Sequence, residues 1–138
     1  MDVRPFRQAD QRAVIELWEA CGLVRPWNDP VRDIARKQAV QAELFLVAEI
    51  EGEIVGSAMA GYDGHRGWVN YLATAPEHQH RGIATALMAS VEDGLRELGC
   101  PKINIQIRAD NAAAAAFYER IGFSPDAVIS LGKRLEED

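Results

Sequence analysis

The chain is poor in cysteine, in cationic charge and in long apolar runs, and each shortage removes a class of protein. Its two cysteines, Cys21 and Cys100, lie far apart and lack the paired Cys and His spacing of a zinc site. They read as free thiols in a reducing compartment, with no metal. No apolar stretch approaches the ~20 residues that span a bilayer, and no basic segment followed by an apolar one opens the chain. A cytoplasmic protein without membrane attachment is the default expectation. Lys and Arg number 15 against 21 Asp and Glu, a net charge of -6. That balance disfavours non-specific binding to nucleic acid or anionic lipid. It suits solubility, and equally a cationic or amine substrate. Repeats and low-complexity linkers are missing too, so the 138 residues, 48% apolar, are expected to form one domain over 1–138.

In chain order, residues 2–7 suit a short strand, and Val14, Leu17, Trp18 and Cys21 recur at the helical spacing of a core stripe through residues 11–21. After Gly22, residues 25–30 read as a loop, with Asp29 and Pro30 suited to be N-cap and first residue of a helix over 31–42. Trp27 and Asn28 stand in that loop, where a large aromatic either tucks into the core or faces a ligand. Residues 44–50 and 54–60, joined by a turn at 51–53, form an antiparallel hairpin. Residues 61–67 are a glycine-rich loop. Asp63 there is favoured as a turn former, because Asp bonds readily to its own backbone two residues on. His65 and Arg66 are substrate contacts or idle surface.

A strand over 68–74 leads to Gln79-His80-Arg81-Gly82-Ile83-Ala84 and a one-face apolar helix over 83–98. Such a connection leaves the first N–H groups of the helix unpaired at the positive end of its dipole, an anion site that suits a pyrophosphate. Gly82 lets a phosphate approach its backbone closely. A single glycine matches neither a Walker loop nor a three-glycine dinucleotide fingerprint, and on this stretch alone an ordinary helix start is the simpler reading. Gly94 should weaken the helix by roughly 1 kcal/mol relative to Ala. Residues 102–108 alternate Ile103, Ile105 and Ile107 with Asn104, Gln106 and Arg108. A strand reached through a helix is parallel to its predecessor and ordinarily apolar on both faces, so this polar face borders a wet cleft or open water. Asn111 suits the cap of a last helix carrying Phe117, Tyr118 and Ile121, and residues 127–131 read as a final strand before a charged tail, 133–138, expected to fray. This order describes an α/β fold with a mixed sheet and helices on both faces.

Two motifs then stand out together. Gln79, Gly82 and Ala84 follow Leu72-Ala73-Thr74-Ala75-Pro76, and Asn111 precedes Phe117-Tyr118-Glu119-Arg120 and Gly122-Phe123. In both, the chain resembles the GNAT superfamily of acyl-CoA-dependent N-acetyltransferases along essentially its whole length, and residues 25–30, 61–67, 99–103 and 131–135 look more narrowly like the bacterial YpeA-type acetyltransferases. The resemblance implies a mostly antiparallel mixed sheet whose central parallel strand pair splays at the cofactor site. It implies acetyl-CoA as acetyl donor, with the backbone of Leu72, Ala73 and Thr74 along the pantetheine arm and the pyrophosphate on N–H groups of Gln79, His80, Arg81, Gly82, Ile83, Ala84 and Thr85. Asn111 caps its helix, contacts pantetheine, or does both.

Transfer to an amine requires a neutral nucleophile, a polarised carbonyl and a proton for the sulfur. A backbone N–H near residues 72–74 suits the second task. Tyr118, at the family position, suits the third, a phenol of pKa ~10 staying protonated at neutral pH; its plainer reading is a core aromatic beside Phe117. The matching position supplies no base, because Gln106 stands where related ribosomal-protein acetyltransferases carry a Glu. Water, Asp63, His65 or Glu43 serves instead, or the amine arrives neutral. An α-amino group of pKa ~7.7–8.0 meets that last condition better than a lysine of ~10.4. Trp27, Asn28, Asp63, His65, Asn70 and Gln106 are the expected acceptor contacts. The reading is an N-acetyltransferase acting on a primary amine of a small molecule or a protein N-terminus. An acyl-CoA-binding regulatory module without turnover is the alternative, and a homodimer is left open.

Overall fold

The computed structural model describes residues 1–138. Five strands, β1 (Asp2–Pro5), β2 (Phe45–Ile50), β3 (Glu53–Tyr62), β4 (Gly67–Thr74) and β5 (Ile103–Ile105), lie side by side in chain order. β1 to β4 pair antiparallel and β4 to β5 parallel. The β2–β3 turn places Glu51 and Gly52 at φ 49° and 80°, the doubly left-handed geometry that follows strand twist in a two-residue hairpin. The β3–β4 connection is tighter than the expected loop. β3 runs on to Tyr62, and the Asp63 carboxylate holds the tip by accepting from the N–H groups of His65 (2.8 Å) and Arg66 (2.7 Å).

Side chains alternate across the sheet, so each face meets its own helices. Helix α1 (Gln11–Ala20) and helix α2 (Pro30–Gln38) cover the face that carries Phe45, Ser57 and Gly61. Asp29 caps α2 through the N–H groups of Val31 and Arg32, with Pro30 following as the sequence suggests. α2 ends at Gln38, earlier than expected, because Gln41 turns left-handed and its side-chain amide pairs with both the N–H (2.7 Å) and the C=O (2.9 Å) of Tyr62. Helix α3 (Ile83–Glu97) covers the other face, burying Ile83, Leu87, Met88, Val91 and Leu95. Helix α4 (Ala112–Arg120) follows β5. At the chain's start, Arg4 grips the buried Asp10 carboxylate through two nitrogens (2.8 and 2.9 Å), which holds its pKa below the usual carboxylate range.

Close approach of α3 to the sheet depends on Gly56. A Cβ there would lie 2.8 Å from Ile83 Cγ2 and 3.1 Å from the Ala73 carbonyl oxygen. Ile83 is buried and β-branched, so neither neighbour yields cheaply. Gly56→Ala is therefore expected to cost about 1–3 kcal/mol, read as a lowered denaturant midpoint. Gly94 has a similar role. Its missing side chain makes room for Leu44 Cδ2, which would stand 2.7 Å from an added Cβ, so helix propensity does not describe this position alone.

The structure departs from expectation beyond α3. β5 keeps three residues of the anticipated seven-residue strand, and residues 127–131 form no strand. Val128, Ile129 and Leu131 are 78%, 84% and 87% exposed. An apolar run becomes a strand only where a ladder takes up its backbone groups. Here side chains do the tethering, Lys102 to Asp126 (2.8 Å) and Gln106 to Ser130, so the segment runs beside β5 in the same direction. A cavity of about 1300 Å³ lies between β5, α4 and this segment. The parallel pair thus stands at the sheet's edge rather than at its centre. The tail lies against α2 and the loop before it: Asp138 accepts from Arg36 and from the Asp29 N–H, both at 2.9 Å, and Arg134 donates to Asn28 (2.8 Å). No helix is long and apolar enough to cross a membrane.

Candidate active site

β4 is irregular at its centre. Ser57 pairs with Ala73 and Met59 with Asn70, so Ala58 alone faces both Tyr71 and Leu72. The extra residue is Tyr71, at φ 53°, a left-handed conformation unusual for an aromatic residue. Pairing with β5 covers Gly67, Trp68 and Val69 and then stops. From Asn70 onward the two parallel strands diverge.

The bulge also decides which backbone groups face the opening. Before it, the Gly67 N–H donates to Lys102 on the β5 side (2.8 Å). After it, the Ala75 N–H donates to Val55 on the β3 side (2.8 Å). Strand groups alternate in direction, so Ala73 faces β3 while Leu72 and Thr74 face the open edge. That edge offers the N–H groups of Leu72 and Thr74 and the Leu72 carbonyl to an extended ligand. The Thr74 carbonyl is engaged by the Cys21 thiol (3.3 Å), and burial pushes that thiol's pKa up.

The edge leads through a short 3-10 turn, Pro76–His78, to the start of α3. His80 (φ 64°) and Gly82 (φ 80°, ψ 10°) are both left-handed, and Ile83 begins the helix. A left-handed residue followed by a helical one turns successive N–H groups toward a common point, an anion-binding concavity. The first helical bond runs from the Ala86 N–H to the Gly82 carbonyl (3.0 Å), so the N–H groups of Ile83, Ala84 and Thr85 precede the ladder and are free of it. No side chain caps them. Nothing stands within 4 Å of the place a Gly82 Cβ would take, which leaves the concavity open. Gln79, His80 and Arg81 border it on the preceding turn, His80 and Arg81 exposed.

Asn111 caps α4, its Oδ1 accepting from the Ala114 N–H (3.1 Å). Tyr118 packs edge-on against both Phe117 (5.2 Å) and Phe123 (5.3 Å), and burial alone pushes its phenol up to about 12. Tyr118 and Gln106 line the large cavity, whereas residues 72–85 do not.

Of the expected acceptor contacts, the structure gathers some and separates others. Asn70, opposite Met59 in β4, and Gln106, one residue past the end of β5, stand where the two strands diverge. Gln106 is tied to Ser130. Trp27 is half exposed and lies under the Arg108 guanidinium, 5.2 Å from its ring centroid, which brings the α1–α2 loop to the end of β5. Asn28 is engaged by Arg134. Asp63 and His65 sit at the other end of β4, with the paired stretch Gly67–Val69 between them and the opening. Five residues of strand separate Gly67 from Leu72, about 16 Å. Asp63 is a turn former there, its pKa lowered by the two N–H groups it accepts.

Sequence reading missed the group that holds the bulge. Trp18, fully buried, stacks on Tyr71 (centroids 3.8 Å apart) and donates from Nε1 to Ser57 Oγ (2.9 Å). Ser57 Oγ donates to the Tyr71 carbonyl (2.7 Å), and the Tyr71 hydroxyl donates to Asp33 (2.5 Å). The available signal was a serine inside an otherwise apolar strand, Ser57 between Val55 and Met59.

Comparison with known proteins agrees with this arrangement. The model of the acetyltransferase (GNAT) family matches residues 8–123. An acetyltransferase of Pectobacterium atrosepticum is 54% identical over 138 residues, covering 100% of this chain and 98% of that protein. Among solved structures, Ard1 from Thermoplasma volcanium is similar at TM-score 0.77 and 20% identity, over 91% of this chain and 84% of that one. A ribosomal-protein-alanine N-acetyltransferase from Brucella melitensis reaches TM-score 0.74 at 26% identity, over 90% and 85% of the two chains. An edge that opens in mid-strand, an anion concavity at the next helix and a family match spanning both lead to one assignment: the chain belongs to the GNAT acetyltransferase family and is an acyltransferase.

Proposed function

We propose that the chain, acting as a single domain, moves an acetyl group from acetyl-CoA directly to a primary amine. The observation that carries this reading is the continuity of two sets of unpaired donors, the open edge at Leu72 and Thr74 and the concavity at Gly82. An extended amide-containing arm matches the first and a pyrophosphate the second. Acetyl-CoA, when bound, supplies an acyl carbon already activated as a thioester. The chain supplies the rest. Leu72 N–H points into the opening and donates to the carbonyl oxygen, Arg81 offers a guanidinium to phosphate, and Tyr118 donates toward the sulfur.

An α-amino group is the acceptor this site suits best. Gln106, at the mouth of the opening, cannot take a proton, and the Asp33 carboxylate is engaged by Tyr71 and Arg36. An amine of pKa ~7.7–8.0 is partly neutral at physiological pH and needs no strong base, unlike a lysine at ~10.4. The name of the Brucella relative, an alanine N-acetyltransferase, accords with this choice. Release of free thiol from acetyl-CoA over a panel of amines provides the test. Peptides with a free N-terminus are expected to exceed Nα-blocked lysine peptides by about tenfold or more in kcat/KM. Equal rates on the two would remove the α-amine preference, and no amine-dependent release would remove the transfer reading.

A further inference from the structure

We infer that Ser57, held by Trp18, is a positioning residue that aims the Leu72 N–H at the thioester carbonyl; this rests on the acetyl-transfer reading above. The bulge creates the need for such a residue. Where Ala58 faces both Tyr71 and Leu72, the ladder has one residue's groups for two residues' backbone. The Tyr71 carbonyl lies on the β3 side and would be left over; Ser57 Oγ takes it at 2.7 Å. The peptide joining Tyr71 to Leu72 is trans, as every peptide in the chain is, so its C=O and N–H point in opposite directions. Fixing the Tyr71 carbonyl toward β3 therefore fixes the Leu72 N–H toward the opening.

The hydroxyl is itself oriented. Ser57 is fully buried and carries one proton, which it gives to the Tyr71 carbonyl. Trp18 Nε1 has no acceptor capacity, so it can only donate to Ser57 Oγ, and it does so at 2.9 Å. Trp18 thereby occupies one of the oxygen's two lone pairs and leaves the hydroxyl proton free for Tyr71. The same indole stacks on the Tyr71 ring, with planes 14° apart, and Asp33 holds that ring's hydroxyl. A left-handed tyrosine is costly in isolation. Contacts from α1, α2 and β3 hold it in place, and their shared effect is the direction of one amide.

Kinetics and amide spectroscopy on Ser57→Ala, Trp18→Phe and the double variant test the inference. Ser57→Ala removes one oxygen and is expected to lower kcat about tenfold while the acetyl-CoA Kd moves less than about twofold, because remaining edge and helix donors are untouched. Trp18→Phe keeps a stacked ring without the donor and should lower kcat less. The double variant should match Ser57→Ala, since Trp18 acts through Ser57. In wild type, the Leu72 amide proton should shift further with acetyl-CoA than with CoA, a difference lost in Ser57→Ala. Unchanged kcat in Ser57→Ala, additive losses in the double variant, or a Leu72 shift indifferent to the acetyl group would each overturn the inference. A wild type that binds acetyl-CoA and releases no thiol defeats the transfer reading instead, and the Leu72 shift still decides the positioning role.

Discussion

Tyr118→Phe is expected to lower kcat by about 10², with the acetyl-CoA Kd changed by less than about twofold. The substitution keeps the ring and its edge contacts with Phe117 and Phe123 and removes only the oxygen. Folding should be unaffected. Burial pushes the Tyr118 phenol up to about 12, and this refines its task. A thiol has a pKa of ~8.5, so complete proton transfer from this phenol to a thiolate runs uphill. Tyr118 serves as a hydrogen-bond donor that stabilises charge on the sulfur as it departs, and solvent completes the protonation. The acid form persists across the working range, so no alkaline fall in kcat assigned to Tyr118 should appear below pH ~10. Stability carries the matching sign. A phenol whose folded pKa lies above its unfolded value of ~10 contributes fully below that pH, and its contribution is lost as pH rises toward about 12. Wild type should lose stability against Tyr118→Phe only in that alkaline window. A Phe variant with undiminished turnover would remove Tyr118 from the chemistry.

Gly82→Asp should weaken acetyl-CoA binding by roughly 10- to 100-fold, about 1.4–2.7 kcal/mol, while leaving thermal stability unchanged or raised. The two effects have opposite signs because they arise from different parts of one position. Asp is among the residues that best tolerate the left-handed backbone found at Gly82, and its Cβ would enter open space. It is also a favoured N-cap, and its charge suits the positive end of α3, worth 0.3 to ~1 kcal/mol. The same carboxylate competes for the N–H groups of Ile83 to Thr85 and repels an incoming pyrophosphate. Calorimetric titration with acetyl-CoA beside a thermal melt separates these effects. Affinity equal to wild type would place the pyrophosphate elsewhere.

Much of the fold was legible because its signals are local. The Asp29-Pro30 helix start, the Asn111 cap and the turn at Glu51 and Gly52 each depend on residues adjacent in sequence. The start of α3 just after Gly82 was legible for the same reason. Tyr71 was not, since an aromatic in a strand is ordinary and nothing nearby marks it as the residue in excess; the bulge exists only relative to β3. Trp18 and Ser57 lie 39 residues apart, and periodicity placed Trp18 in the core without revealing its donor. The strand expected over residues 127–131 failed because apolar composition specifies burial, and pairing needs an edge in register. The tail's attachment to α2 was invisible as well, joining charges about a hundred residues apart.

The cleft in this enzyme is in the end a matter of length. Over residues 56–59 of β3, β4 spends one residue more than its partner, and that surplus residue is Tyr71. A β4 shorter by one would run level with β3 and could keep its pairing with β5 beyond Val69, closing the gap with an unbroken sheet. Side chains that later contact a donor or an amine would then have nowhere to work. One residue of surplus length, held by Ser57 and Trp18, separates a closed strand pair from an opening.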